Sequence, residues 1–408
     1  MSDCGAEHGL ISVDQALALI LDKVEALASE QIPLSQALHR YLAKDIYSAI
    51  DLPLFSQSAV DGYALCSHEP IMAHSKFQLV GEIRAGQDQS FQLEHGQALR
   101  IFTGAKTPEG TTTVARQEIV TPLTTNQIQI NTDLTPHADI RDVGEELSKG
   151  QLLAQKGQHL TVGAIAALSM AGVMDVEVYR YPRIAVVITG DEVAQNLDDF
   201  AAGMIFDANA PLIQAWFEQR QHQVEIFHVE DTEFAVTQLI QQLKQQYEVI
   251  LTTGGVSVGD YDFVRPVALA QGFEQIFWKV KQKPGKPMLF AKFQRTADQC
   301  CYLLGLPGNP AAVFVGMQIY TSTLLQALQG QAQLPKWFSA ILTQPIKSDS
   351  RERLLRMDAQ FEQGQLKVKN LTKQQSHMLS NLMQANCLVR IPENQVLTEG
   401  AMVQGLFI

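Results

Sequence analysis

The sequence predicts a multidomain α/β protein. A central domain with a parallel sheet is joined by a helical domain in two pieces, a β-rich insertion and a C-terminal β domain. Three observations carry this reading. The chain has 408 residues, more than one ordinary core holds, so two to four domains are expected. Across residues 181–330, continuous apolar runs alternate with helical stretches, the pattern of a parallel sheet covered by helices. Before and after that region, short runs alternate with Gly, Pro, Thr and Asn, which is a β texture.

The elements follow in order. A helix is expected from about Ser12 to Ala28: Ser12 and Gln15 have capping-box spacing, and Leu17, Ile20, Leu21, Val24 and Leu27 form a stripe. A short second helix is expected over Leu34 to Leu42. FQLVGEI, ALRIFTG and QIQINTDL then read as strands of an insertion spanning residues 47–143. A helix at Val162 to Met170 is expected to pack on the first, giving a bipartite helical domain of residues 1–46 and 144–180. RIAVVIT is a strand buried on both faces, followed by a helix at Ala210 to Gln221, a strand at Val224 to Val229 and a helix capped by Thr232. EVILTT, a helix over Asp262 to Gln271, CYLLGL and a helix over Ala311 to Leu328 complete the α/β domain. AILTQPI, LLRMDAQF, LKVKN, CLVRIP and MVQGLFI make a β domain of residues 331–408.

Composition narrows the function classes. The net charge of -12 argues against a nucleic-acid binder, which needs a basic face, but a local lysine cluster can still hold an anion. No run of eighteen apolar residues occurs, and MSDCGAEHGL lacks the basic and apolar regions of a signal peptide, so the cytoplasm is the expected location, with no membrane partner. Cys4, Cys66, Cys300, Cys301 and Cys387 have no zinc spacing and read as reduced thiols in or near cores.

Chemistry is expected at the carboxyl ends of the parallel strands. Three such ends carry Gly, hydroxyl residues and carboxylates: TGDE (Thr189 to Glu192), TTGGVSVGDYD (Thr252 to Asp262) and LPGNP (Leu306 to Pro310). Gly254 and Gly255 let backbone amides approach an anion, with Thr253 and Ser257 hydroxyls beside them, and Gly259 bends the chain before Asp260 and Asp262. Neither GxGxxG nor GK[ST] is present in this loop. WKVKQKPGKP (Trp278 to Pro287) places Lys279, Lys281 and Lys283 at strand parity, and Pro284-Gly285 turns the chain to present Lys286. His222, His228 and His377 are isolated and read more readily as structural than as acid–base groups.

These motifs, in this order, resemble the molybdopterin molybdenumtransferases, the MoeA and gephyrin-like family of molybdenum cofactor biosynthesis. DLPLFSQSAVDGYAL (Asp51 to Leu65), IFTGA (Ile101 to Ala105), RDVGEELSKG, GMIFDAN and SHMLSNLMQANCLVRIP extend the resemblance from about residue 12 to 392. It implies a molybdopterin-binding-type α/β domain at residues 181–330. The implied reaction inserts molybdate into adenylylated molybdopterin and releases AMP. Asp61, Thr103, Glu192, Asp231, Asp262, Lys279 and Lys283 fall at its catalytic positions. Gly254, Gly255, Ser257, Lys286, Pro307, Pro310, Arg353 and Ser376 fall at its substrate-binding positions. Mg2+ is expected on Asp61, Glu192 and Asp262, since oxygen ligands suit a hard cation. A homodimer with composite sites is implied, Asp61 and Thr103 reaching the partner's α/β domain, together with transient contact with other cofactor-biosynthesis proteins. Thr112, Glu146 and Arg265 depart from the usual pattern. The alternatives are a related enzyme on the same α/β domain (a molybdopterin adenylyltransferase or a nucleotide pyrophosphatase) and a non-catalytic gephyrin-like scaffold.

Overall fold

A computed structural model describes residues 10–408 except 88, 89, 191, 195–197, 199, 258, 260 and 261, so Cys4 and Asp260 lie outside the described residues. Chain contacts group into two compact units, Met1–Glu30 with Tyr179–Ile408, and Gln31–Val178.

In the first unit, α1 (Val13–Lys23) starts at the expected capping box: Gln15 N donates to Ser12 Oγ at 3.1 Å, and Ser12 N to Gln15 Oε1 at 2.9 Å. It is shorter than expected, because the chain turns extended at Val24 and Leu27 N donates to the Leu328 carbonyl instead. The α1 stripe of Val13, Ala16, Leu17 and Ile20 is taken up by the α/β core, where it joins Leu324 and Leu328. The expected partner for that stripe was the helix at Val162 to Met170; the larger apolar face of the α/β domain takes the place.

The central sheet has six strands in the order Glu225–Val229, Ile184–Thr189, Val249–Thr253, Gln299–Leu306, Leu289–Thr296 and Glu274–Trp278. The first four are parallel, and Leu289–Thr296 runs antiparallel to both of its neighbours. The sheet is therefore mixed at one side, where the hairpin Leu289–Leu306 folds the chain back without a helix. Apolar side chains alternate to two cores. One lies against α1, α3 (Asn209–Glu218), α6 (Pro310–Gly316) and α7 (Ser322–Leu328). The other lies against α4 (Glu233–Gln246) and α5 (Val264–Ala270). Thr232 caps α4 as its sequence predicts, its Oγ1 accepting from Ala235 N at 3.2 Å. A π-helical turn, Met317–Thr321, joins α6 to α7. Among the described residues, Pro310–Leu328 alone is long and apolar enough to cross a membrane, and 83% of its apolar window is buried inside this core.

The C-terminal strands close into a barrel. Glu352–Glu362 pairs on one side with Gln365–Asn370 and on the other with Cys387–Ile391, while Phe338–Leu342 and Met402–Phe407 complete the ring. Gln282–Lys283, from the lysine segment, adds a short parallel pairing to Glu352 and Arg353.

The second unit holds a six-stranded sheet, ordered Thr113–Arg116, Gly62–Leu65, Gln97–Ile101, Lys76–Ile83, Gln127–Ile130 and Val120–Thr124. Beside it, α2 (Val162–Met170), capped by Thr161, packs through Leu168 on Leu34, Ala37, Leu42, Leu160, Val176 and Val178. The helix expected over Leu34 to Leu42 is only a single 3-10 turn, Leu34–Gln36. Pro33 precedes it and His39 adopts φ 66°, a left-handed conformation no α-helix contains.

Candidate active site

Three loops meet at the carboxyl ends of the parallel strands. After Thr253, Gly254 takes φ 94° and Gly255 φ 66°, and neither has room for a side chain. A Cβ at Gly254 would meet Thr189 Oγ1 at 2.6 Å, and one at Gly255 would meet Val264 Cγ2 at 2.5 Å. Gly254 N donates to the Leu306 carbonyl at 2.9 Å, tying this loop to residues 307–310. A Cβ at Gly308 would lie 3.7 Å from Gly254 Cα, so the two backbones are in contact. The third loop, residues 284–286, packs on the second: a Cβ at Gly285 would lie 3.8 Å from Pro307 Cγ and 3.6 Å from Ala312 Cβ. Ser376 joins through its main chain, its carbonyl accepting from Ala311 N at 3.0 Å at the start of the helix that Pro310 opens.

Two side chains of the GMIFDAN block support this junction, Asn209 directly and Asp207 through the start of α3. Asn209 Nδ2 donates to the Gly308 carbonyl at 2.9 Å, and its buried Oδ1 has no hydrogen-bond partner among the described residues. Asp207 Oδ1 accepts from the main-chain N–H of Asn209 and Ala210 at 2.8 and 3.1 Å, opening α3, while its other oxygen lies 3.4 Å from His228 Nε2. His228 is thus tied to a structural carboxylate, and the His222 ring packs at a 59° tilt against Tyr181, with ring centroids 4.4 Å apart.

Three candidate carboxylates follow strands of the central sheet. Glu192 is exposed beyond Ile184–Thr189, its carbonyl accepting from Ile205 N at 2.9 Å. Asp231 follows the neighbouring strand Glu225–Val229, just before the α4 cap. Asp262 Oδ2 accepts from Gly259 N at 2.7 Å and closes the glycine loop, from which the Ser257 side chain is exposed. Among the described residues, no group of three or more His, Cys, Asp or Glu forms a ready-made cation cage. Mg2+ usually keeps several waters and takes one or two carboxylates plus substrate phosphates. Glu192 and Asp262 lie in the loops that follow two adjacent parallel strands and are carboxylates of that type.

The lysines do not share a face. Strand parity holds only for continuous extended backbone, and the strand ends at Trp278; Lys279 takes φ 75°. Lys279 Nζ lies 4.2 Å from the Trp278 ring centroid, and the Arg265 guanidinium lies 3.9 Å from the same centroid. Trp278 Nε1 donates to the Val256 carbonyl at 2.9 Å, so two cations are held beside the glycine loop. Lys281 pairs instead with Glu393 at 2.5 Å, and Lys283 with Asp349 at 2.9 Å. The Lys283 hydrogen bond is the main reason that the Asp349 carboxyl sits below its ordinary pKa. Lys286 enters the turn through its carbonyl, which accepts from Val280 N at 2.8 Å. The Arg353 guanidinium donates to the Lys347 carbonyl within its own barrel.

In the second unit, Asp61 and Thr103 are partners. Asp61 Oδ1 accepts from Thr103 N at 2.8 Å and from Thr103 Oγ1 at 2.9 Å. The backbone hydrogen bond, then the hydroxyl, holds the pKa of this exposed carboxylate below its ordinary value.

Glycine loops, an amide-braced turn and cations at strand ends define an α/β domain of the type that takes its ligand beyond the carboxyl ends of parallel strands. The sequence also matches the MoeA N-terminal region (domain I and II) over residues 11–172, a probable molybdopterin-binding domain over 185–327, and the MoeA C-terminal region (domain IV) over 339–407. The molybdopterin molybdenumtransferase of Haemophilus influenzae is 31% identical over 396 residues, covering 95% of each chain. That of Staphylococcus epidermidis is 29% identical, covering 94% of this chain and 91% of its own. The crystal structure of a molybdopterin biosynthesis MoeA protein from Pyrococcus horikoshii superposes with a TM-score of 0.82 at 24% identity, over 98% of this chain and 100% of the other. The chain belongs to the molybdopterin molybdenumtransferase family. It is a transferase of molybdenum cofactor biosynthesis.

Proposed function

We propose that the junction of residues 254–255, 284–286 and 307–310 is where adenylylated molybdopterin and molybdate meet, giving molybdenum cofactor and AMP. The observation that carries this reading is the contact between three side-chain-free backbones, at Gly254, Gly285 and Gly308, with their neighbouring loops. Such a surface lets main-chain N–H groups approach phosphate and oxyanion oxygens. Lys279 and Arg265 raise the local positive potential of an otherwise acidic chain. Lys283 reaches molybdate by exchanging Asp349 for the incoming anion.

No protein nucleophile is needed. The chain binds two anions in register, holds them against fixed dipoles and limits water, so positioning and electrostatics carry the rate. Mg2+ would be held by Glu192 and Asp262, with Asp61 from a partner subunit, and would neutralise the phosphates. Asp61 is suited to that role because it is an exposed carboxylate held in place by the Thr103 N–H and hydroxyl. This reading requires a homodimer with composite sites. Reduced cytoplasm is the proposed location; Cys66, Cys300, Cys301 and Cys387 are free and buried, as thiols in a reducing compartment are. The relatives match across nearly the whole chain, β modules included, which favours this reading over an enzyme built on the α/β domain alone. Equilibrium binding tests it: the protein should retain adenylylated molybdopterin and lose most of that affinity on Gly255→Ala. No retention by the native chain would refute the reading.

A further inference from the structure

Tyr320 lies in the π-helical turn after the Pro307–Pro310 loop and is fully buried. Its hydroxyl donates to Oε1 of Gln282, itself fully buried. Gln282 Nε2 donates to the Gly285 carbonyl at 3.2 Å. The polarity of this chain is forced: a carbonyl only accepts, so the amide must point its NH2 at Gly285, and its oxygen then needs a donor. Tyr320 is that donor. The Gln282 carbonyl is held from outside by Arg351 Nη1 at 3.3 Å, and Val280 N closes on the Lys286 carbonyl at 2.8 Å. A phenylalanine would fill the same core, so packing alone does not call for the hydroxyl. π turns recur at functional sites because the extra residue re-aims side chains.

We infer that Tyr320 is a positioning residue: through Gln282 it fixes the Pro284-Gly285-Lys286 turn against Pro307, and so sets the affinity of the site for molybdate. This rests on the proposed reading of that turn as part of the anion site. Without the hydroxyl the Gln282 amide is free to rotate, its oxygen can face the Gly285 carbonyl, and the turn loosens.

The test compares Tyr320→Phe with Tyr302→Phe. Tyr302 is an equally buried tyrosine in the same domain; its hydroxyl donates to Lys23 O at 3.3 Å and accepts from Glu25 N at 3.0 Å, away from the three loops. Tyr320→Phe should raise the molybdate concentration for half-maximal AMP release about tenfold, the cost of one buried unsatisfied polar group. The half-saturating concentration of adenylylated molybdopterin should change by less than about twofold, a spread set by ordinary additivity error. Tyr302→Phe should lower the melting temperature comparably and leave molybdate dependence as in the native enzyme. Gln282→Met, which fills the slot without an amide, should reproduce the Tyr320→Phe shift and covers the case of a poorly folding tyrosine variant. A native molybdate response in Tyr320→Phe or Gln282→Met, or an equal shift in Tyr302→Phe, overturns the inference while the function stands. A native enzyme that releases no AMP overturns the function and the inference together.

Discussion

Gly254 N donates to the carbonyl of Leu306 at 2.9 Å, across two neighbouring parallel strands and just where both end. The glycine loop and the Pro307–Pro310 turn are therefore one backbone unit, and a distortion of either reaches the other.

Gly255→Ala tests that unity. Its left-handed φ costs about 1–2 kcal/mol for a residue with a Cβ, and the Val264 contact at 2.5 Å adds overpacking. Activity should fall by at least about a hundredfold, since a displacement near 1 Å has that effect on positioned reactants. Gly364→Ala is the control. Its φ is 79°, but nothing lies within 4 Å, so it should lose stability and keep turnover. Steady-state rates and urea melts of both variants decide the matter; full activity in Gly255→Ala would mean that the loop only turns the chain.

Asp61 and Glu192 lie in different compact units of one chain. If each active site draws Asp61 from one subunit and Glu192 from the other, mixing inactive Asp61→Ala with inactive Glu192→Ala should restore part of the activity through heterodimers with one intact site. Absence of recovery after demonstrated subunit exchange would count against a shared site.

Lys283 is held by Asp349, a pairing that competes with an anion. Asp349→Asn should lower the molybdate concentration for half-maximal turnover, whereas Lys283→Gln and Lys279→Gln should raise it about ten- to a hundredfold, the worth of a charge-assisted contact. Lys336→Gln, outside the motifs, should behave as the native chain. Unchanged molybdate dependence in all three site variants would leave these groups as surface pairs.

The sequence showed strands and caps well, because their signals are local. Ser12 with Gln15, and Thr232 before α4, are capped as their spacing predicts. The glycine loop and the LPGNP turn were readable as neighbours because both sit at the carboxyl ends of strands that prove adjacent. The lysine geometry was not readable: it depends on the backbone leaving the strand at Lys279, and on Lys283 pairing with a barrel strand about seventy residues on. The contacts of Asn209, which closes the GMIFDAN block, and of Tyr320 were hidden for the same reason. An amide that reaches Gly308 and a hydroxyl that reaches Gln282 are tertiary facts with no periodic trace.

Glu248 offers a stability test away from the site. Its side chain is 4% exposed, with Arg183 at 2.9 Å, Arg180 at 3.3 Å and Arg295 at 3.6 Å. Burial alone would raise its pKa; the Arg183 and Arg180 hydrogen bonds outweigh that and hold it at about 2. A lowered folded pKa contributes stability above the unfolded value, roughly 4.3, that is lost as pH falls through about 2. Glu248→Gln should cost about 3 kcal/mol at neutral pH, the low end for a broken buried pair because Arg183 is 60% exposed. The gap from the native chain should narrow between those two pH values. A pH-independent gap in urea melts would contradict the assignment.

The most direct measurement is AMP release from adenylylated molybdopterin in the presence of Mg2+, with and without molybdate. AMP should appear with native protein only when molybdate is present, stop when EDTA is added, return with excess Mg2+, and be nearly absent with Gly255→Ala. AMP release that ignores molybdate, or that persists unchanged in Gly255→Ala, would contradict a molybdenum-insertion site at the three-loop junction.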